Sequence, residues 1–461
     1  MSQGPPDDNE LRFRPPSCAQ QQLSCQLLIV GGGLSGLSAA EAAMRRGVDV
    51  VLIEKSVFGQ KAASALNAGQ FLTGWARPVD VMLGELTAQG QGAGGTIARS
   101  QAESRVRAFL RRTVEGCQRL ADLDHVYNLR SSVRHGAVMA AATAGDLESL
   151  QSTYDFMEKS NLRSLMPLVR GQRRPFFKLL TARQLEARCG TTSGLYAGGV
   201  VDRFGGSFRP RKLMDGLGRA LQKRGVRIFQ ETEAEAIDIA DDRVKVFCGN
   251  GATVEARRVF MANAYARHIN GEARERSIFA YDYVVVIELP RGSKTLGLSS
   301  VMSDTRDPCF YARRHGMQLY MGYEETAETS PKITREVARR TLREAQRIFP
   351  DLCGLTEGDI RSAWSGRVYY TLDDYPFVER AFGDYLTTFA APSDHGNALA
   401  VRVGQLVGDL AADAILGADS EQETRRHRDA MRQLKLFESF PKGQRLRPGR
   451  RYQQAAQSGE A

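Results

Sequence analysis

Three glycines, Gly31, Gly33 and Gly36, follow the apolar run 27–30 in the spacing G-x-G-x-x-G. Glycines so spaced handle phosphate through the backbone. The first permits a tight turn, the second lets the chain approach a pyrophosphate, and the third lets a helix pack closely on a strand. The alanine-rich stretch after them reads as a helix whose free N–H groups and positive dipole end face the same anion. Beyond Gly47 the run "VDVVLIE" reads as a second strand, and Glu54 ends it 18 residues past Gly36. An acid at that place accepts hydrogen bonds from an adenosine ribose. A chance glycine cluster would lack strand, helix, strand and acid in register, so 27–55 reads as a dinucleotide site. These residues alone leave FAD and NAD open.

The rest of the chain must position that site. At 461 residues it is longer than one ordinary domain, and 42% hydrophobic with 25% charged residues is the composition of a globular protein. No apolar run reaches the ~18 residues of a membrane span, and the polar first 24 residues carry no secretory signal. Seven cysteines are scattered without C-x-x-C spacing, which points to reduced thiols in a cytoplasmic protein and to no metal site. Half of the net charge of +10 lies in residues 421–461, with ten Lys/Arg against five Asp/Glu, and reads as a solvated tail rather than a nucleic-acid module. "GQGAGG" at 90–95 repeats the glycine spacing, but a long helix over about 100–123 follows with no strand and acid in register. It is a loop, and one dinucleotide fold is present.

Helical and strand patterns then alternate in a way that carries the chain out of the first domain and back. The stretch 208–239 reads as a helix feeding a strand back to the nucleotide domain, 242–264 as a hairpin and a returning strand, and 278–325 as further strands. The expected fold is α/β, a Rossmann-type nucleotide domain interleaved with a sheet-rich α+β cap. The expected segments are a disordered tail over 1–24, nucleotide domain over 25–125, 208–270 and 363–420, cap over 126–207 and 271–362, and a basic helix and tail over 421–461.

Three further motifs carry a resemblance. "SALNAGQFLTGW" (64–75) is similar to the small-residue and Asn-Gly-Gly loop of flavin oxidases of the D-amino-acid oxidase superfamily. "MANAY" (261–265) resembles the strand end beside their cofactor. Trp364, Gly366, Thr371, Asp373, Pro376, His395 and Gly396 match their C-terminal signature, which opens a helix over 396–416. The likeness spans about 26–416 and is nearest to the branch of gamma-glutamylputrescine oxidases. It implies FAD as a resident cofactor, with its reacting ring between the domains. The implied contacts are Gly31, Gly33, Leu34, Ser35, Gly36, Glu54, Lys55, Ser64, Leu66, Asn67, Ala68, Gly69, Gln70, Ala234, Asn263, Asp394, His395, Gly396, Asn397 and Ala398. Free amides at the start of the 396–416 helix would stabilise negative charge on the reduced ring.

The implied activity is oxidation of the C–N bond of an amine or amino-acid-like substrate. A hydride passes to flavin N5 and leaves an imine that hydrolyses, with molecular oxygen or another acceptor taking the electrons. His395, Tyr281 and Arg313 are the candidate catalytic residues. Tyr281, Tyr283, Tyr311, Arg313, Tyr320 and Tyr323 fall on cap strands and together could line an amine pocket by cation–π contacts. Sarcosine-oxidase-type relatives tether flavin through a cysteine where this chain has Val368, so the FAD is expected to be non-covalent. They also hold a substrate carboxylate with a lysine where this chain has Ala398, which favours an amine or longer conjugate over a simple α-amino acid. Rival readings are an FAD enzyme acting on modified tRNA or a specialised metabolite, and a flavin-binding protein without turnover.

Overall fold

The computed structural model describes residues 2–3, 13–74, 78–89, 98–160, 162, 175, 177–240, 243–263, 277–323, 325–326, 335–371, 376–381, 385–390, 396–417, 424–425, 428–431 and 433. In chain order the strands are β1 (Ser2–Gln3), β2 (Gln22–Val30), β3 (Val50–Ile53), β4 (Gln70–Phe71), β5 (Arg134–Ala141), β6 (Phe177–Thr181), β7 (Gly198–Ser207), β8 (Arg227–Phe229) and β9 (Ala234–Ala240). They continue as β10 (Arg243–Cys248), β11 (Thr253–Met261), β12 (Ser277–Glu288), β13 (Val301–Asp304), β14 (Tyr311–His315), β15 (Gln318–Gly322), β16 (Glu325–Thr326), β17 (Ile360–Thr371), β18 (Phe377–Ala381) and β19 (Leu386–Ala390). The helices are α1 (Leu34–Met44), α2 (Ala63–Leu66), α3 (Val79–Gln89), α4 (Arg99–Val126), α5 (Ala144–Lys159), α6 (Ala182–Cys189), α7 (Pro210–Gln222), α8 (Arg335–Ile348) and α9 (Gly396–Leu416).

One sheet runs β18-β19-β11-β2-β3-β8, with β9 and β10 attached beyond β11. Its central strands are parallel: β2 lies between β3 and β11, and β8 and β19 extend it on either side. A parallel strand covered on both faces needs apolar side chains throughout, and 27–30 are all buried. Helix α1 is buried from Leu34 to Ala43, and its small residues let α9 approach closely. A Cβ on Gly404 or Gly408 would land on the carbonyl oxygens of Ser35 and Ala39, and Ser38 Oγ donates to the Val401 carbonyl at 2.7 Å. On its other side α9 meets α4, where a Cβ on Gly116 would strike the Ala398 carbonyl.

The second sheet runs β1-β17-β12-β15-β14-β13-β5-β7-β4, with β16 on β12 and β6 on β7. Its longest pairing joins β12 and β17 antiparallel, with Val284 opposite Trp364 and Tyr281 opposite Arg367. Side chains alternate between faces with period two. Tyr281, Tyr283, Val285 and Ile287 share a core with Val337, Leu342 and Ile348 of α8. Val284 and Val286 point the other way and cluster with Tyr320, Trp364 and Ala68. The sheet therefore has a back face on α8 and a front face toward loop 63–71.

Two expectations need correction. Within the tail expected to be disordered, Phe13, Pro15 and Cys18 are buried. Phe13 is buried edge-on against Phe58 at 5.0 Å, and its N–H donates to Asp215. The missing side chain of Gly218 makes the room, since a Cβ there would sit 2.8 Å from the Phe13 ring. The boundary at 362–363 also falls inside β17, all of which runs in the second sheet beside β12. Most of the expected basic tail lies outside the described residues. Those described near its start are helical, with Ala430 buried and Gln433 accepting from Arg402 Nη2 at 2.8 Å.

Candidate active site

The glycine turn is built as a phosphate cradle. Gly31 has φ +114°, a left-handed conformation that favours glycine, and a Cβ there would meet the Ala262 carbonyl oxygen at 2.9 Å. A Cβ on Gly36 would collide with the Gly31 carbonyl, so the third glycine lets α1 rest on β2. Helix α1 begins at an N-cap glycine, Gly33, with no side-chain cap and no acid in its first turn. An end with no capping side chain of its own suits an anion. The Leu34 N–H donates to Ser64 Oγ at 3.0 Å.

Glu54 is buried at the end of β3. Its carboxylate accepts from Gly32 N–H at 2.9 Å and from the N–H and Oγ of Ser56 at 3.0 and 2.8 Å. It therefore braces the glycine turn while keeping lone-pair capacity for a ribose hydroxyl. The backbone near Ala234, at the start of β9, is drawn to the same strand end, because Thr232 N–H donates to the Glu54 carbonyl at 2.9 Å. Asn263 follows β11 beside Gly31, and its Oδ1 is buried with no partner among the described residues. Lys55 points outward and pairs with Glu233 at 3.8 Å.

Loop 63–71 crosses from this cradle to the second sheet. Gly69 takes φ +80°, pressed against the Phe208 carbonyl and Pro210, and accepts the Phe208 N–H at 2.9 Å. The Leu66 carbonyl accepts the indole N–H of Trp364 at 2.7 Å, across 298 residues of sequence. Gln70 Oε1 accepts from Ser303 Oγ at 2.8 Å, while its Nε2 is buried without a partner. Asn67 and Asn397 bond to each other, which fixes the loop to the first turn of α9. Ala398 is fully buried there. Beyond the loop, the buried carboxylate of Asp202 accepts from Thr73 N–H and Oγ and from Phe204 and Gly205 N–H. Burial pushes its pKa up, and the four donors work against that rise.

On the front face of the second sheet the strand registers align Val286, Tyr320 and Arg313 in one row. Arg313 is buried. Its Nη1 donates to the Phe208 carbonyl at 3.0 Å, its guanidinium lies 4.1 Å from the Tyr320 ring centroid, and its Nε has no partner. Among the described residues no carboxylate contacts it. Burial depresses its pKa to about 10, with Tyr320 opposing the shift and Arg209 adding to it. Tyr311 shares this face and donates to Asp282 Oδ2 at 2.7 Å. Tyr320 donates to Gln318 Oε1 at 2.8 Å.

The arrangement differs from an aromatic cage for an amine. The Tyr320 ring already carries the protein's own guanidinium. Tyr281 is on the back face, with Arg367 5.6 Å from its ring centroid and donating to its hydroxyl at 2.9 Å. Of the three candidate catalytic residues, Arg313 reaches the front face, Tyr281 does not, and His395 lies outside the described residues, as do Asp394 and Asp373. Asp202 and the Trp364–Leu66 bond were missed. The acid inside the apolar run "GGVVDRFGG" was the available signal for the first; nothing local marks the second.

The cradle, the second loop and the start of α9 converge as one site with buried, unpartnered polar atoms, and they fit a dinucleotide whose far end reaches the cap. The sequence profile of the DAO family, described as FAD dependent oxidoreductase, matches residues 26–410. The chain belongs to this family of FAD-dependent oxidoreductases. Over 426 residues it is 27% identical to a probable oxidoreductase OrdL of Rhizobium meliloti (strain 1021), covering 91% of this chain and 88% of that one. It is 24% identical over 444 residues to the gamma-glutamylputrescine oxidoreductase of Escherichia coli (strain K12), covering 95% and 92%. Among solved structures, glycine oxidase from Bacillus cereus ATCC 14579 superposes with a TM-score of 0.64 at 18% identity over 86% of this chain and 96% of that one. L-proline dehydrogenase from P. horikoshii gives 0.66 at 16% identity over 89% and 99%. Two sheets in the DAO fold, one binding FAD and one facing it, are thus the architecture of this oxidoreductase. Among the described residues no helix is long and apolar enough to cross a membrane.

Proposed function

We propose that this DAO-family member oxidises the C–N bond of an amine or amino-acid-derived substrate that carries a second, anionic end away from the reacting carbon. The observation that carries the reading is Arg313, a buried guanidinium with an open Nε on the face that loop 63–71 covers. Bound FAD supplies a two-electron acceptor for a hydride from the carbon beside nitrogen. Arg313 holds the anionic end by a charge-assisted hydrogen bond. Trp364 and Tyr320 wall the face and exclude water, and substrate must arrive with its amine neutral. Gly31, Gly33, Gly36 and Glu54 would hold the adenosine and pyrophosphate, with loop 63–71 and the start of α9 at the other end.

The relatives support the substrate class, since one is named for gamma-glutamylputrescine and others for glycine and L-proline. Val368 in place of a cysteine supports non-covalent FAD, and seven unpaired cysteines support a cytoplasmic setting with oxygen or another acceptor taking the electrons. The division into a cofactor domain and a cap belongs to the same proposal. Anaerobic mixing of the yellow protein with amines, read at the flavin absorbance band, tests it. Amines with a remote carboxylate should bleach the band faster than glycine, sarcosine or D-alanine. Faster bleaching by the small amino acids, or none by either class, would overturn the reading.

A further inference from the structure

Asn67 and Asn397 stand 330 residues apart, yet each side-chain amide donates to the other's Oδ1 at 3.2 Å. The remaining bonds of the pair fix its polarity. Gly69 N–H donates to Asn67 Oδ1 at 2.8 Å, and the carbonyls of Ala63 and Ser64 each lie 3.0 Å from Asn67 Nδ2. Asn397 Nδ2 donates to the Gln70 carbonyl at 2.7 Å. Turning either amide over would set N–H against N–H and carbonyl against carbonyl, so the pair closes one way only. It joins two chain segments that no sheet holds together at this point. Ser64 carries the connection onward by accepting the Leu34 N–H at the start of α1.

We propose that Asn67 and Asn397 form a matched pair of positioning residues, which sets the spacing between loop 63–71 and the first turn of α9 so that FAD is gripped by both as a unit. The inference rests on the family assignment and not on the substrate. It gives the two asparagines a role through each other rather than as separate cofactor contacts. Its distinguishing property is non-additivity. Once one amide is gone the other has lost its partner, so a second removal costs less than it does alone.

The test is a cycle of Asn67→Ala, Asn397→Ala and the double variant, purified as holoprotein. FAD release is followed by flavin fluorescence on dilution, and far-ultraviolet circular dichroism checks the fold. Each single change should weaken FAD binding by about tenfold, the scale of one or two hydrogen bonds, and the double change by clearly less than the product of the single effects. All three should show the same altered bound-flavin absorbance band. Asn397→Asp, which keeps the shape but faces the Gln70 carbonyl with an oxygen, should behave like Asn397→Ala. A double variant weakened by the product of the single effects, or an Asn397→Asp protein binding as wild type, would overturn the pairing. Should Asn67→Ala fail to fold, Asn67→Asp takes its place in the cycle, since it keeps the Gly69 bond and loses the donor.

Discussion

Arg313 shows how a single residue can be costly to the fold and useful to the site. A guanidinium buried beside a carbonyl and an aromatic ring, with no counter-charge among the described residues, gives up hydration. Its pKa is lowered by burial to about 10, so it stays charged from pH 6 to 9, and the cost of burying the cation persists below that value and eases only as pH rises through it. Arg313→Met should therefore leave the melting temperature equal or higher while raising KM for an anionic amine by about ten- to a hundredfold, the loss of a charged hydrogen bond of about 1.5–3 kcal/mol. Thermal melts and steady-state kinetics over pH 6–9 check both halves. A fall in stability with unchanged KM would make Arg313 a structural residue. Arg313 and not its neighbour Arg314 is the candidate in the sequence, although "CFYARR" fixes only an alternation and not which face meets the cofactor. The same gap put Tyr281 in the site when register with β17 turns it to the back.

At the scale of elements, α9 is where the sequence was most legible. The expected helix over 396–416 is present with those ends, and its glycines announce close packing. What the glycines pack on was not readable, since Ser35 and Ala39 lie more than 350 residues earlier. Gly404→Val should force α9 off the Ser35 carbonyl, costing about 1–3 kcal/mol as overpacking. FAD affinity should fall with it, because Ser35 is in the first turn under the phosphate cradle. Gly84→Ala on the exposed side of α3, where a Cβ meets nothing within 4 Å, should instead stabilise by up to about 1 kcal/mol. Melting curves and flavin retention of the two proteins separate packing at the site from helix propensity elsewhere. The glycine turn, β2, α1, β3 and the place of Glu54 at the strand's end were legible for a related reason: their pattern is local, within one short stretch of chain.

On the proposed reading the whole molecule would hold FAD by enclosure, between a cradle on one sheet and a loop on the other. Acid precipitation should accordingly release all of the yellow colour into the supernatant, measured by absorbance; colour retained in the pellet would reveal a covalent bond despite Val368. The order of strands has a consequence for how the enzyme is made. Strand β2 leaves the ribosome early but pairs with β11, roughly 230 residues later, and β11 in turn waits for β19. At about 5–20 residues per second, β2 stands with one edge unpaired for on the order of tens of seconds. Within that interval the β5–β7 and β6–β7 pairings of the second sheet can close, whereas the flavin's own sheet is completed only when β18 and β19 arrive. A nascent chain thus has no complete cofactor site until α9 has been synthesised, and the exposed apolar edge of β2 is the interval's hazard for aggregation.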